Sequence, residues 1–465
     1  MKQYESYKES NLPSVGIVPA DWGVVPIKYV LEQSSEGIKI GPFGSTLTGK
    51  VSSEHSVKVY GQWNVIGKDF TAGKNYVTEE TYKELESYWI HPNDVLISMM
   101  GTVGKCAIIP NDVPKGIMDS HIVKVRLNEN LIDPQYFYYV YDKDGSKVVM
   151  SQIQRDRRGS IMDGLNSSLI KGFLIPLPSL SEQHKIVSFL EYKVGQIDSV
   201  IAEKEQMLQD LTAYRSSVIS EAVTKGLNKD VPMKDSRVAS IGTIPNTWKV
   251  VPIKYVLEHS NNGIKIGPFG SALTGKVSTD NDVKVYGQWN VIGRDFSAGK
   301  NYVSEETYRE LESYWIHPND VLISMMGTVG KCAIIPEGVS KGIMDSHIVK
   351  IRLNESLMSP KYFYYVYDKD GSNVVMTQIQ RDRRGSIMDG LNSTLIKNFE
   401  IPLPSLSEQK AISDYLDVKV GYLESIISEL QLGIEDLKSY KSSVITEAVT
   451  GKVDLREWNK QNVTA

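Results

Sequence analysis

A chain of 465 residues is longer than one ordinary hydrophobic core organises, so two or three domains are expected. Apolar residues make up 41% and charged residues 23%; no run of about eighteen apolar residues occurs and Met1 to Asn11 is no signal peptide, which excludes an apolar membrane helix and makes the cytoplasm the expected compartment. The 52 basic residues against 56 acidic ones leave a net charge of −4, excluding a protein that grips nucleic acid by bulk positive charge and leaving local patches or a basic partner.

From about Lys8 to Gly226 each position has a counterpart 226 residues later: Trp22 matches Trp248, His91 matches His317 and Glu182 matches Glu408. A solenoid repeats every 20 to 50 residues or so, and this period instead holds a whole domain. Between Ile38 and Asn166 the copies differ at scattered, mostly conservative positions, such as Lys68 against Arg294 and Thr71 against Ser297. Beyond Gln183 roughly every second residue changes, so the globular surface is shared while the last segment keeps mainly its pattern.

In chain order, Gly44 to Lys50 and its twin ending Gly275-Lys276 resemble a phosphate loop. Val51 and Val277, however, stand where Ser or Thr must hold magnesium, which argues against nucleotide binding. Gly61-Gln62-Trp63-Asn64 sets amides around an aromatic with Lys68 close by; Trp63 reads equally as a recognition residue or as core beside a polar turn. Thr78 to Ser87 predicts a short helix, and His91 and His317, each before a proline, predict turn residues. Val95 to Ile97 and Ile122 to Val125, bounded by Pro92-Asn93-Asp94 and Asn128, predict strands. Gly101 to Lys105 is a turn that offers backbone N–H groups and a lysine to a phosphate. Cys106 and Cys332 lie in apolar runs and are expected as reduced core residues.

Asp119 and His121, like Asp345 and His347, share one face of a strand with no third ligand near in sequence, which favours a structural or base-contacting histidine over a metal site. Asp133 to Tyr141, with Pro134 in its first turn, predicts a helix. Gln152 to Ser160 packs three guanidiniums and two amides into nine residues and recurs unchanged from Gln378 to Ser386. These groups pair bidentately with guanine and adenine edges or hold phosphates, although a solvated loop with ion pairs through Asp156 is the plainer reading.

Ser179-x-x-Glu182 then reads as a capping box opening a helix whose Leu190, Val194, Ile197, Ile201, Leu208, Leu211 and Val218 follow a 4,3 spacing. Ser405-x-x-Glu408 opens its twin, with Leu416, Val420, Leu423, Ile427, Leu430, Ile434, Leu437 and Val444. Gly195 and Gly421 lie mid-helix and are expected to allow close approach, since each costs about 1 kcal/mol against alanine. If the seams pair antiparallel, a two-fold axis relates the copies and the helices form a spacer of roughly 60 Å. No methyltransferase signature of Asp or Asn before Pro-Pro-aromatic and no Gly-rich cofactor turn after a strand occurs, so methyl transfer on this chain is not expected.

The order of Ile40-Gly-Pro-Phe-Gly-Ser45, Ser98-Met-Met-Gly-Thr-Val-Gly104, Asp119-Ser-His121 and Ile175-Pro-Leu-Pro-Ser-Leu-Ser-Glu-Gln183, found twice, resembles the specificity subunit of type I restriction-modification enzymes, as does the closing Thr450 to Arg456. The resemblance implies an α+β fold: two similar mixed α/β recognition domains plus two long helices in an antiparallel, pseudo-two-fold coiled coil. The expected boundaries are 1–178 and 227–404 for the recognition domains, 179–226 and 405–451 for the helices, and 452–465 for a tail. It implies double-stranded DNA, two modification (methyltransferase) subunits and restriction (motor and nuclease) subunits as partners, with S-adenosylmethionine, ATP and Mg2+ on those subunits and no cofactor, metal or catalysis on this chain. The candidate DNA-contacting residues are Lys39, Ser45, Gln62, Asn64, Lys68, Thr102, Lys105, His121, Gln152, Gln154, Arg155, Arg157 and Arg158. In the second copy they are Lys265, Ser271, Gln288, Asn290, Arg294, Thr328, Lys331, His347, Gln378, Gln380, Arg381, Arg383 and Arg384. Near-identity of the copies predicts like half-sites, an interrupted palindrome. The rival expectation is a bivalent protein-binding scaffold that reads no DNA.

Overall fold

The computed structural model describes residues 2–459 apart from 13–14, 34–36, 43–45, 55, 101, 143, 158–164, 260–262, 269–271, 327, 369 and 384–391. For 156–157 and 382–383 it describes the backbone alone. The chain divides into two compact units, residues 1–205 with 432–465 and residues 206–431, so that each takes part of both long helices. The sequence-based boundaries follow the repeat; the units follow packing.

In the first unit a four-stranded antiparallel sheet runs in the order Ile38–Ile40, Ile122–Val125, Val95–Ser98, Cys106–Ile108. Its central strand Val95–Ser98 is buried along its whole length because both faces of the sheet are covered. Val95 and Ile97 join the main core with Phe137, Val148 and Leu190, while Leu96 points the other way into a second cluster with Tyr60, Val65 and Met118. The period of two thus serves two cores, and the strand reads as an unbroken apolar run. Each fully buried Val, Leu or Ile contributes about 1.5–3 kcal/mol. A smaller sheet pairs Val57–Tyr60 in parallel with Gly116–Met118 and antiparallel with Tyr76–Val77. The second unit repeats this order, from Ile264–Ile266 through Cys332–Ile334 in the larger sheet and with Val283–Tyr286 in the smaller.

The expected strands and helices form. Thr78 caps Glu79–Glu84 by accepting from Thr81 N, and Asp133 caps Pro134–Tyr141. Cys106 and Cys332 are buried free thiols whose pKa burial pushes up. The segment expected as a loop from Gln152 is instead the end of a helix, Lys147–Arg157. Val148, Val149 and Ile153 all enter the core, a helical spacing that the charged residues beyond conceal.

The long helices run Leu180–Lys225 and Leu406–Val449, 46 and 44 residues. In the first unit Asp198 pairs with Lys441 at 2.6 Å and Glu205 with Lys438 at 3.3 Å, so the two segments run antiparallel. Leu190 and Val194 share the lobe's core with Ile445, Ala448 and Val449. In the second unit Ile412, Leu416 and Val420 share theirs with Ile219, Ala222 and Val223. Tyr136 Oη donates to Val449 O at 3.2 Å and Tyr362 Oη to Val223 O at 2.9 Å, satisfying carbonyls that a helix end leaves unpaired.

Two expectations need correction. Gly195 and Gly421 mark no close approach: a Cβ on either would meet nothing within 4 Å. The reciprocal capping box forms only in the second copy, where Ser405 N donates to Glu408 Oε2 at 3.1 Å. In the first, Glu182 instead accepts from Tyr4 Oη at 2.6 Å.

Candidate nucleic-acid interface

Four connections of the first lobe meet at one edge. Gly41 N, after the strand Ile38–Ile40, donates to Ile122 O at 3.0 Å; Met99 N, after Val95–Ser98, donates to His121 O at 3.1 Å; Asp119 N donates to Tyr60 O at 2.9 Å. Asp119 is the hub. Its Oδ1 accepts from His121 N at 2.8 Å, and burial lifts its carboxyl above the ordinary range while that N–H pulls it back. A Cβ at Gly41 would lie 1.6 Å from Asp119 O, and one at Gly61 2.6 Å from Asp119 Oδ2. Both glycines are therefore required by close approach rather than by backbone angle.

After Gly61 the short helix Gln62–Gly67 is locked by Asn64, whose Oδ1 accepts from Gly61 N at 2.9 Å and whose Nδ2 donates to Asp69 O and Ala72 O. Val65 is fully buried, so the helix cannot roll, and Trp63 is held 86% exposed. Met100 is 58% exposed and His121 also lies open, whereas Gln62 is half-buried. The second lobe places Gln288, Trp289, Met326 and His347 alike, with Trp289 85% exposed.

Other candidates fall elsewhere. Asn64 and Asn290 are buried and hold the turn instead of facing solvent. Gln152 is buried, with Nε2 donating to Val148 O and Leu174 O and Oε1 accepting from Leu174 N; Gln378 repeats this with Val374 and Glu400. Lys105 pairs with Asp144 at 2.6 Å and Lys331 with Asp370 at 2.7 Å. Lys68 bonds Tyr138 Oη, and Arg294 bonds Asp368 at 2.5 Å over the Tyr364 ring. Lys39 and Lys265 lie over Tyr88 and Tyr314.

Thr102 and Thr328 are half-buried, and their carbonyls accept from Ser98 and Ser324. Gln154, Arg155, Gln380 and Arg381 are exposed on their helices, and the first of these helices packs under the edge, since a Cβ on Gly104 would meet Met150 Sδ at 2.9 Å. Ser45, Ser271, Arg158 and Arg384, with the side chains of Arg157 and Arg383, lie outside the described residues. Lys50 and Lys276, of the phosphate-loop look-alike, pair with Glu84 and Glu310. Among the described residues no group of three or more His, Cys, Asp or Glu could hold a metal ion, and no helix is long and apolar enough to cross a membrane.

The sequence alone leaves Trp63 equally a core or a recognition residue and does not mark Met100 as exposed. The available signal was Asn64 directly before the apolar pair Val65-Ile66, which fixes the helix with Trp63 on its outer side. Chemically, the edge offers an imidazole, an amide, an indole and a thioether, groups that hydrogen-bond or stack against base edges without bulk positive charge.

The family profile described as the type I restriction modification DNA specificity domain matches residues 34–209 and 246–433. The chain is 22% identical over 387 residues to the type I restriction enzyme EcoBI specificity subunit of Escherichia coli, covering 81% of this chain and 77% of that one. It is 23% identical over 465 residues to the putative MjaX specificity subunit of Methanocaldococcus jannaschii, covering 97% and 98%. A chain of a solved structure concerned with complex assembly and conformational transition of the type I R-M system superposes with a TM-score of 0.65 at 16% identity, over 94% of this chain and 99% of that one, which shows a shared fold. The duplicated lobe, the long helices and the match of this profile to both copies establish that the chain belongs to the type I restriction-modification DNA specificity family, whose role is recognition of the DNA target.

Proposed function

We propose that this chain reads one double-stranded DNA site as two like words, one per unit, and carries no catalysis itself. The supporting observation is the edge just described. Ile38 to Gly41, Val57 to Gly67, Val95 to Ile109 and Lys115 to Lys124 are identical in the second copy, so both units bring the same side chains to the same place. Like surfaces read like words, and the antiparallel course of the helix segments supports reading the second word inverted, with half-site centres about one helical turn, roughly 34 Å, apart. In this reading the helices are spacer and scaffold for two modification subunits, which bring S-adenosylmethionine. Restriction subunits bring ATP and Mg2+, and the complex works in the cytoplasm.

Methylome sequencing of a strain carrying the system tests the proposal: an interrupted palindrome is expected, and two unrelated half-sites overturn it. Gel shifts with and without modification subunits separate it from a bivalent protein scaffold, which would retard no duplex in either case.

A further inference from the structure

We infer that Trp63 and Trp289 are wedges: each indole enters the duplex at its half-site and stacks on a base step it has parted. The inference rests on the DNA-reading function proposed above. Of the seven tryptophans, Trp22 and Trp248 are buried core, and Trp89 and Trp315 stack on Tyr82 and Tyr308 at 4.5 and 4.4 Å while donating to their carbonyls. Trp458 packs edge-on against Phe189 at 5.7 Å. Trp63 and Trp289 have no hydrogen bond or ring contact among the described residues, although each is followed by an asparagine that is buried.

Their exposure does not come from a loose segment. Asn64 and Asn290 tie each turn with three hydrogen bonds, and Val65 and Val291 anchor the helix in the core. A rigidly presented aromatic loses little conformational freedom when it binds. The turn that carries Gln62 and Trp63 is tied through Tyr60 O to Asp119, and Met99 N to His121 O, so the same edge carries Gln62, His121 and Met100, a mixture of hydrogen-bonding and apolar groups suited to a base step. Aromatic faces stack on any base, and apolar wedges part base steps in proteins that deform DNA. Deformation at a fixed position also adds readout at bases that no side chain touches.

The test uses the complete chain assembled with its modification subunits and a duplex carrying the site mapped by methylation sequencing, with 2-aminopurine placed in turn at each position of a half-site. Wild type should raise the fluorescence at one step per half-site other than the methylated base, which a modification subunit extrudes on its own. Trp63→Ala with Trp289→Ala should abolish that rise and weaken binding roughly 5- to 150-fold per half-site, the equivalent of about 1–3 kcal/mol. Trp63→Phe with Trp289→Phe should restore most of both, and neither pair should shift the melting temperature, since the rings touch no core. Equal affinity and equal fluorescence for the alanine pair overturn the inference, as does loss of assembly with the modification subunits by that pair alone. If wild type in the assembled complex retards no duplex, the DNA-reading function falls instead, which is a separate outcome.

Discussion

Replacing Gly41 and Gly267 by alanine tests whether the four connections are packed as described. The added Cβ would lie 1.6 Å from Asp119 O in the first lobe and 1.7 Å from Asp345 O in the second, against 3.4 Å where ordinary contact begins. The obstacle is a backbone carbonyl, in the connection after Gly116–Met118, so no side chain can swing away. The strand Ile38–Ile40 must instead part from Ile122–Val125, which loses the bond from Gly41 N to Ile122 O. Overpacking of this kind costs about 1–3 kcal/mol and the lost bond about 1 kcal/mol more. At about 2–4 °C per kcal/mol for units of this size, each substitution should lower the melting of its own unit by roughly 5–15 °C.

Scanning calorimetry of the whole chain measures this. Gly195→Ala with Gly421→Ala is the control of opposite sign, because those glycines sit in helix interiors facing open space and alanine should stabilise by about 1 kcal/mol each. If both pairs shift melting alike, or Gly41→Ala changes nothing, close approach at Asp119 is wrong and with it the geometry of the edge.

Arg155→Ala with Arg381→Ala should weaken binding to the mapped duplex by about 1–3 kcal/mol per lost base contact and relax sequence preference at that position; unchanged affinity and preference in a filter-binding assay would remove the helix end from the interface. Gln152→Ala should behave oppositely, lowering urea stability by about 1–3 kcal/mol for each backbone group of Val148 and Leu174 left unsatisfied, while any folded protein keeps its sequence preference. Ile197→Asp with Leu423→Asp places carboxylates in the buried seam and should abolish assembly with modification subunits by size-exclusion chromatography, with normal assembly counting against the spacer role.

Burial lowers the Lys350 ammonium to about 8 from 10.5, so between those values the unfolded chain holds a proton the folded one has released. The second unit should therefore gain stability as pH rises through that window, and Lys350→Met should flatten the rise in pH-dependent melting curves.

The repeat, the long helices and the family were legible in the sequence because each rests on local or periodic information: an offset of 226, a 4,3 spacing, and motifs in fixed order. The strand Val95–Ser98 and the helix Pro134–Tyr141 were legible for the same reason, their turn formers and caps being neighbours in the chain. The helix Lys147–Arg157 was not, because its buried stripe of Val148, Val149 and Ile153 is short and runs straight into a charged segment that reads as a solvated loop.

Among the site residues, composition identified groups able to bind a base, and only the tertiary structure decided which of them face outward. Gln152 and Gln154 differ by two positions, yet one is enclosed by Val148 and Leu174 while the other reaches solvent, since two residues along a helix point to different faces. Lys105 is tied to Asp144 by contacts 39 positions apart, and Asp119 gathers Gly41 and Gly61 from two other strand ends. The sequence alone determined that there are two like lobes and two rods. Which side chains each lobe presents was decided by long-range packing, because exposure is a property of the residues that cover a side chain and those lie far away along the chain.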